Sequence, residues 1–319
     1  MRKNILVTGG AGFVGSHLCK RIMNDGHNVV TVDDLSNGKV ENVPDGVEFI
    51  HVDIAQDKFF SLLKDYAFDS VIHCAAQTSN ALSFKDPIND MSANLKATHN
   101  ILEYCVQNNI KRYIFTSSMS AYGQPPVIPT KEDTVCSPDS FYAVHKLASE
   151  QYAKIYAQVH GIKFTIFRLY TTYGYGQNLE NRDQGLISIY LSYIVKKDEL
   201  IVKGSKDRTR DIIHVDDVVN AISLALDNSQ ACGKTYNLGT GINIKIENLI
   251  EMLTEGLGYK KGEYPITYTI PTLGDPFDTH ADITAAMKDL NWKPTISPEE
   301  GIRVTLETYK KSIAEEGAV

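Results

Sequence analysis

Cysteine and tryptophan are scarce in this chain of 319 residues, which contains five cysteines and one tryptophan. The cysteines are odd in number, widely scattered and never spaced as Cys-x-x-Cys. This pattern argues against the disulfide framework of a small secreted domain and against the usual zinc-ligand spacings. We therefore expect buried free thiols and predict no metal site.

Long hydrophobic runs and excess positive charge are also missing. No apolar stretch approaches the ~20 residues of a membrane span, and the opening Met-Arg-Lys leads into a short strand-like run instead of a signal-peptide core. The formal net charge is -7 without a sustained basic run, so nucleic acid and anionic membranes are not expected as partners. We expect a cytoplasmic protein in which local cations hold any anionic ligand.

Short apolar strands alternate with helical segments in the first half of the chain. The strands "NILVT", "NVVTV", "VEFIHV", "SVIHCA", "RYIFTS" and "KFTIFRL" show little polar alternation, as expected for strands buried on both faces. The sequence therefore predicts an α/β fold with a doubly wound parallel sheet. After Arg168 this rhythm gives way to loop-rich sequence, which we expect to form a smaller C-terminal domain that supplies the substrate pocket.

The segment "ILVTGGAGFVGSHL" places Gly9, Gly12 and Gly15 directly after the first strand and at the start of the first helix. Glycines there allow a tight turn and a close approach of a pyrophosphate to the helix N-terminus. Asp33 ends the second strand, eighteen residues after Gly15, where a carboxylate binds ribose hydroxyls and repels a 2'-phosphate. These features predict a Rossmann-type domain that binds NAD in preference to NADP. Asp53 has two open interpretations, an acceptor for the adenine amino group or a cap of its strand.

A tyrosine and a lysine stand four residues apart in "SFYAVHKLASE", as Tyr142 and Lys146. With 17 tyrosines and 24 lysines, chance predicts about one such pair, and a second does occur at Tyr193 and Lys197. Only the first pair begins a helix that follows a strand ending in serines, the last being Ser118, and ligands of doubly wound sheets bind at strand carboxyl ends. We predict that Tyr142 is a catalytic base and that Tyr193 belongs to the core.

A tyrosine base must ionise far below its reference pKa of about 10. A helix terminus contributes ~0.3 to 1 kcal/mol, less than one pKa unit. A lysine cation ~4 Å away contributes roughly 4 kcal/mol at an effective dielectric constant of ~20, about three units. We therefore expect Lys146 to lower the pKa of Tyr142, with further help from the cationic nicotinamide.

The chain resembles the extended short-chain dehydrogenase/reductase family of nucleotide-sugar epimerases, dehydratases and decarboxylases, and most closely its UDP-hexose 4-epimerase branch. The resemblance covers essentially the whole chain. It rests on "TGGAGFVGSHL", "DDLSNG", "VIHCAAQ", "SSMSAYG", "YAVHK", "RDIIHVDDVVNA", "YNLGTG" and "LNWKPT". It implies that Tyr142 takes the C4 hydroxyl proton and NAD the hydride, which gives a 4-keto sugar. It further implies that Ser118 hydrogen-bonds the same sugar oxygen and that Arg210 binds the diphosphate.

The resemblance also implies the remaining site residues, the domain bounds and the assembly. The expected cofactor-binding residues are Gly9, Gly12, Phe13, Val14, Gly15, Asp33, Asp53, Ile54, Ala75, Ala76, Tyr142 and Lys146. The NAD-binding domain is expected over 1–170 with a return at about 211–240, and the substrate domain over 171–210 and 241–319. The helices with "NLKATHNILEYCVQ" and "YAVHKLASEQYAKIYAQV" are expected to pair with their copies in a homodimer.

Several positions depart from the family's patterns. Met119 and Ser120 stand where 4,6-dehydratases carry Asp-Glu, and neither can catalyse elimination as an acid or base. Thr171 replaces an Asn of many relatives and is expected at the substrate. Thr272 replaces an arginine, a loss for which Lys203, Lys206 or Arg208 are the candidates to compensate.

The small Thr279 stands where galactose-specific epimerases carry Tyr, so it is predicted to line a sugar C2 pocket that admits an acetamido group. The leading hypothesis is a 4-epimerase of a UDP-hexose or UDP-N-acetylhexosamine. The alternatives are an NAD(P)H-dependent nucleotide-4-keto-6-deoxyhexose reductase and a redox-sensing binding protein without catalysis.

Overall fold

The computed structural model describes residues 2–316. Its strands are β1 (Asn4–Thr8), β2 (Asn28–Asp33), β3 (Glu48–His51), β4 (Ser70–His73), β5 (Arg112–Ser118), β6 (Lys163–Leu169), β7 (Thr171–Tyr173), β8 (Leu200–Lys203), β9 (Thr209–His214), β10 (Lys234–Leu238), β11 (Asn243–Lys245) and β12 (Ile266–Thr269). Its helices are α1 (Phe13–Asn24), α2 (Lys58–Leu62), α3 (Asn80–Lys85), α4 (Pro87–Met91), α5 (Ala97–Gln107), α6 (Phe141–His160), α7 (Leu186–Val195), α8 (Val215–Leu226), α9 (Ile246–Gly256), α10 (Thr284–Leu290) and α11 (Pro298–Glu316).

Seven parallel strands form the main sheet in the order β10-β6-β5-β4-β1-β2-β3. The predicted doubly wound sheet is thereby confirmed. Successive strands are added in one direction from β1 to β3 and in the opposite direction from β4 to β6, so the strand order reverses between β1 and β4. Such a switch point opens a crevice at the strand carboxyl ends. The glycine-rich turn after β1 and the segment after β4 both border this crevice.

Both faces of the main sheet are covered, which explains its uniformly apolar strands. Helices α1 and α8 pack on one face around a core that includes Leu18, Ile22 and Val218. Helices α5 and α6 cover the other face, where Ile101 and Ala153 are buried. Each pair of helices buries its apolar face against the sheet, and these two layers supply the main apolar contact of this half of the molecule.

Helix α6 has well-defined ends. Its N-cap is Ser140, whose hydroxyl accepts a hydrogen bond from the Ala143 amide at 3.2 Å. It ends at Gly161, which adopts the left-handed conformation with φ of 70°. Because the cap fixes where the helix starts, it also fixes Tyr142 in the first turn, beside the carboxyl end of β5.

A smaller lobe is built from two further sheets. Strands β11, β9 and β7 form one, and β12 pairs with β8 in the other. Helices α7, α9 and α11 enclose its separate apolar core, which contains Leu191, Ile212, Leu249 and Leu306. The expected substrate domain therefore has a core of its own.

The lobe boundaries differ from those expected from the sequence in two places. Strand β9, at the start of the predicted return, pairs within the small sheet, so the chain rejoins the main sheet only with α8 and β10. In addition, Ala286, Leu290 and Trp292 pack in the core of the main sheet although they fall within 241–319. The indole Nε1 of Trp292 donates to the Asp217 carbonyl at 3.0 Å, which anchors this segment to α8.

The described part of the chain contains no helix that is both long and apolar enough to cross a membrane. Within residues 2–316 no cluster of three His, Cys, Asp or Glu side chains has the arrangement of a metal site. All five cysteines are free thiols.

Candidate active site

One cavity of about 740 Å³ lies at the carboxyl ends of the main-sheet strands and extends to the smaller lobe. All but one of the predicted site residues line it. These are Gly9, Gly12, Phe13, Val14, Gly15, Asp33, Asp53, Ile54, Ala75, Ala76, Ser118, Tyr142, Lys146, Thr171 and Arg210. Residues more than 200 positions apart in the sequence therefore share one site.

The glycine turn after β1 is tight enough to exclude other residues. Gly9 has a φ of 77°, and a Cβ on it would stand 2.7 Å from the Ala75 amide nitrogen. A Cβ on Gly15 would stand 2.0 Å from the Gly9 carbonyl oxygen. Gly12 is the N-cap of α1, so the free amides of that helix end face the cavity. This cradle fits the pyrophosphate of a dinucleotide.

Asp33 lies at the carboxyl end of β2 and is almost fully buried. Its Oδ2 accepts from the Ala11 amide at 3.0 Å, and its Oδ1 accepts from the Leu35 amide at 2.8 Å. Burial raises the pKa of this carboxyl group, while the two backbone amides act in the opposite direction. The fixed carboxylate has acceptor capacity left for ribose hydroxyls, which suits NAD.

Asp53 caps the end of its strand and also lines the cavity. Its Oδ1 accepts from the Ala55 amide at 2.8 Å and its Oδ2 from the Gln56 side chain at 3.1 Å, an arrangement that caps the end of its strand. The residue also lines the cavity. The strand cap is therefore present, and the contact with the adenine amino group stays a prediction.

Tyr142 and Ser118 approach each other from α6 and β5. Burial raises the pKa of Tyr142 to about 12, and the hydrogen bond from Ser118 lowers it. The Ser118 Oγ also accepts from the Ser120 amide at 3.2 Å and the Ser120 hydroxyl at 2.9 Å. Ser118 is thereby held rigidly beside the phenol.

Lys146 does not act on Tyr142 as expected from the sequence. Its Nζ lies 4.4 Å from the centroid of the Phe115 ring, a cation–π contact, and only 2% of the residue is exposed. Burial lowers the pKa of Lys146 to about 8, and burial raises that of Tyr142 to about 12. The side chain faces the ring on β5 instead of pairing with the phenol, so the predicted drop of about three pKa units is absent.

A buried ion pair supports this turn from behind. Glu150, one turn after Lys146, accepts from Arg168 at 2.9 Å and 2.7 Å and from the Ser117 hydroxyl at 2.6 Å. Glu150 is completely buried and Arg168 is 4% exposed. The network ties α6 to β5 and β6, and apart from the apolar character of those strands no sequence pattern indicates it.

Two arginines and one carboxylate form the polar wall of the smaller lobe. Arg210 donates to Asp275 Oδ1 at 2.6 Å, and Arg208 pairs with Asp275 Oδ2. The Arg208 Nη2 also donates to the Tyr190 hydroxyl at 3.2 Å, whereas its buried Nε has no partner within the described residues. Two guanidinium groups share one carboxylate, so a positive charge remains for an anionic ligand.

Three residues are candidates to replace the arginine that is absent at position 272, and the structure distinguishes them by whether they line the cavity. Lys203 and Arg208 line the cavity, as does Thr272 itself. Lys206 is exposed and pairs with Glu247 at 2.9 Å, outside the cavity lining. The structure thus favours Arg208 and Lys203 over Lys206.

Thr279 is the one predicted site residue that the structure places elsewhere. It is 3% exposed and does not line the cavity. Its Oγ1 accepts from the Asp211 amide at 3.1 Å, and its own amide donates to the Thr209 carbonyl at 3.3 Å. These two hydrogen bonds attach its loop to β9, outside the cavity lining. The expected sugar C2 pocket at Thr279 is therefore not found.

Other cavity residues were not predicted from the sequence. Gln77, Ser79 and Asn80 follow β4 and line the cavity beside Tyr142, and Tyr193 borders it as well as packing against the core of the smaller lobe. The position of the first three after a strand carboxyl end was an available signal. Arg182, from the loop before α7, also lines the cavity.

A doubly wound sheet with a glycine cradle, a ribose carboxylate and a Tyr–Lys pair in one cavity defines a dinucleotide-dependent enzyme. The chain belongs to the NAD-dependent epimerase/dehydratase family, whose model matches residues 5–239. NAD is the cofactor of this family, and the cradle and Asp33 fit it.

Three individual relatives are similar to this chain over nearly its whole length. The UDP-glucose 4-epimerase of Mycolicibacterium smegmatis is 33% identical over 96% of this chain and 98% of its own length. The UDP-glucose 4-epimerase of Thermotoga maritima, solved with UDP-glucose, is 33% identical with a TM-score of 0.92 over 97% of this chain and 99% of that one. The UDP-N-acetylglucosamine 4-epimerase of Methanobrevibacter ruminantium, solved with UDP-N-acetylmuramic acid, is 28% identical with a TM-score of 0.89 over 98% and 99%.

Proposed function

We propose that the chain is a UDP-sugar 4-epimerase that acts on a UDP-hexose or a UDP-N-acetylhexosamine. The observation that carries this proposal is the convergence of Ser118, Tyr142 and Lys146 with the dinucleotide cradle and the Arg208–Arg210 wall in one cavity. The cavity can therefore hold a cofactor, a reacting hydroxyl and a diphosphate together. The names of the relatives with UDP-glucose and UDP-N-acetylglucosamine support both sugar classes.

In the proposed reaction Tyr142 accepts the proton of the sugar C4 hydroxyl while Ser118 hydrogen-bonds the same oxygen. NAD supplies reversible hydride acceptance when bound. The 4-keto sugar then presents its other face, and Tyr142 returns the proton to the carbonyl oxygen. Since burial raises the pKa of Tyr142 to about 12, the side chains of this site do not ionise it by themselves near neutral pH. The positive nicotinamide ring is the additional charge that the base requires.

Arg208 and Arg210 are proposed to bind the diphosphate, with Asp275 as their resident counter-ion. Arginine forks suit phosphate oxygens, and both guanidinium groups are already fixed by buried contacts. Met119 and Ser120 also line the cavity, at the positions where a dehydratase needs its acid and base. Their chemistry supports epimerisation over elimination of water.

The proposal is tested on protein purified without added cofactor. We expect it to contain bound NAD and to interconvert the C4 epimers of UDP-glucose or of UDP-N-acetylglucosamine with no net change in NADH. Chromatography of the nucleotide sugars and the NADH absorbance follow both quantities. A requirement for one added NADH per turnover would favour the 4-keto reductase and contradict the epimerase.

We also propose that the enzyme is a homodimer through α5 and α6. Val144, Tyr152, Ile155 and Val159 form a stripe along α6 that is 44%, 36%, 56% and 66% exposed. These positions recur at helical spacing and give an apolar face that nothing in the described chain covers. Ile155→Glu should halve the mass measured by light scattering, whereas Val304→Glu, at a 38% exposed apolar position of α11, should not. A monomeric wild type at micromolar concentration would contradict the dimer.

A further inference from the structure

A buried polar cluster lies behind the turn that carries Tyr142 and Lys146. At its centre is Asp90 of α4, which is 1% exposed. Its Oδ2 lies 2.5 Å from the Nδ1 atom of His145. Its Oδ1 accepts from the Gln77 Nε2 at 2.5 Å and from the Asn94 Nδ2 at 3.1 Å. An ionised carboxylate only accepts hydrogen bonds, so we assign a hydrogen to Nδ1 of His145 in this contact.

The cluster joins the two sides of the reaction site. His145 stands between Tyr142 and Lys146 on the first turns of α6. Gln77 lines the cavity after β4, and its Nε2 also donates to the Ser79 carbonyl at 3.0 Å. Asp90 bonds to both, and it therefore fixes the distance between the turn with the base and the cavity segment at Gln77.

Asp90 also acts on the base through its charge. After burial, which has the largest effect, Asp90 further raises the pKa of Tyr142, and it raises that of Lys146 as well. The carboxylate thus favours the cationic lysine but opposes the tyrosinate. A donor that screens Asp90 from the phenol removes part of this opposition.

The other titratable groups around this turn do not compensate for Asp90. From β4 and its end, burial lowers the pKa of His73 to about 3 and raises that of Cys74 to about 12, so both are uncharged near neutral pH. From α6 itself, Glu150 is paired with Arg168. Within the described residues, His145 is the side chain with a proton directed at the Asp90 Oδ2.

We propose that Asp90 and His145 are a positioning pair for the base: Asp90 holds the Tyr142 turn against Gln77, and the Nδ1–H of His145 screens the Asp90 carboxylate from the phenol. The role rests on the proposed function, in which Tyr142 is the proton acceptor. Neither residue touches the reacting atoms in this role.

Three variants separate the two parts of the pair. His145→Leu removes the donor. The acidic limb of the pH profile of kcat should then move up by about half a pH unit or more, so that kcat at a pH on this limb falls about threefold. His145→Asn keeps an amide donor near the place of Nδ1 and should restore the wild-type limb. Asp90→Asn removes the charge and should move the limb down, while the plateau value of kcat falls because one amide oxygen cannot accept from both Gln77 and His145. His160→Gln, at the exposed end of the same helix, is the control and should shift nothing.

A titration that needs no turnover keeps this test separate from the proposed function. The tyrosinate absorbance of each holoenzyme, minus that of the same variant with Tyr142→Phe, gives the ionisation of Tyr142 directly. Shifts up in His145→Leu and down in Asp90→Asn support the pair even if no UDP-sugar is turned over, in which case the proposed function fails alone. An unchanged Tyr142 titration in soluble His145→Leu would overturn the pair, whatever the activity of that variant.

Discussion

The two sides of the cavity are lined by different kinds of groups. On the cofactor side, backbone amides and glycines face the ligand, and a Cβ on Gly9 or Gly15 would meet backbone atoms at 2.7 Å or 2.0 Å. On the side formed by the smaller lobe, long charged side chains such as Arg208 and Arg210 face the ligand around Asp275. The surface on the cofactor side is fixed by the backbone fold. The surface on the side of the smaller lobe is formed by side chains, and a charged group at one position can replace a charged group at another.

This contrast explains where the family pattern is kept and where it changes. No other residue can replace a glycine whose missing Cβ is the binding surface. A guanidinium group, however, can reach one phosphate from different positions, and Arg208, which lines the same cavity as Thr272, is proposed to do so here. We therefore expect substitutions on the cofactor side to act by distorting the backbone turn, and substitutions on the other side to act by removing single side-chain contacts.

The largest effect is expected for Tyr142→Phe. Loss of the one ionisable oxygen should lower kcat by about 10³-fold or more, because general base catalysis is removed. NAD content and UDP binding should stay close to wild type. Tyr193→Phe, in the second Tyr-x-x-x-Lys pair, keeps its ring under Arg182 and should change kcat little. Comparable losses in both variants would contradict the assignment.

The glycine cradle is expected to be the next most sensitive feature. Gly15→Ala should weaken NAD retention by about 10- to 100-fold, since overpacking of the turn costs about 1–3 kcal/mol. In Gly12→Ala the new Cβ would stand 3.2 Å from the Gly9 oxygen, so this variant should fold with less strain. Cofactor released on denaturation, together with the thermal midpoint, measures both. Full NAD occupancy in Gly15→Ala would show that the turn is not the cradle.

A graded effect is expected for Arg208→Gln. Loss of a charge-assisted contact of about 1.5–3 kcal/mol should weaken UDP-sugar binding about 10- to 100-fold, with little change in NAD content. Lys206→Gln is the matched control because Lys206 pairs with Glu247 outside the cavity lining. Calorimetric titration with UDP distinguishes the two. Weaker binding in the lysine variant alone would assign the phosphate contact to Lys206.

The smallest effect on specificity is expected at Thr279. Thr279→Tyr should lower the thermal midpoint through overpacking of a site that is 3% exposed. Its kcat/KM should fall equally for UDP-glucose and UDP-N-acetylglucosamine. Thr279→Val keeps the volume and loses only the bond to Asp211, at a cost of about 1 kcal/mol. A selective loss of the acetamido substrate in the tyrosine variant would return Thr279 to the sugar pocket.

The cofactor side could be predicted from the sequence because its signals are local. The glycine spacing, the apolar strands and Asp33 all lie within the first 33 residues, and the strand and helix that they predict are present. The crossover order of the sheet then brings the ends of β1 and β4 together without further information. Fold class and cofactor followed from these elements.

The substrate side could be predicted only in part because its contacts join distant segments. The Asp275 contacts with Arg208 and Arg210 span 67 and 65 residues and depend on how a loop crosses β9. The burial of Thr279 depends on the same crossing, which the position of Thr279 in the linear sequence does not reveal. The orientation of Lys146 towards Phe115 likewise depends on packing between α6 and β5.

The central claim is that Tyr142 and NAD oxidise and reduce the same sugar carbon in a closed cycle. UDP-glucose or UDP-N-acetylglucosamine, whichever is turned over faster, is prepared with deuterium at C4 and incubated with the enzyme and a pool of unlabelled NADH. We predict that mass spectrometry and NMR will find the C4 epimer with its deuterium still at C4. Deuterium lost to water or transferred to the NADH pool during epimerisation would contradict the closed cycle at C4.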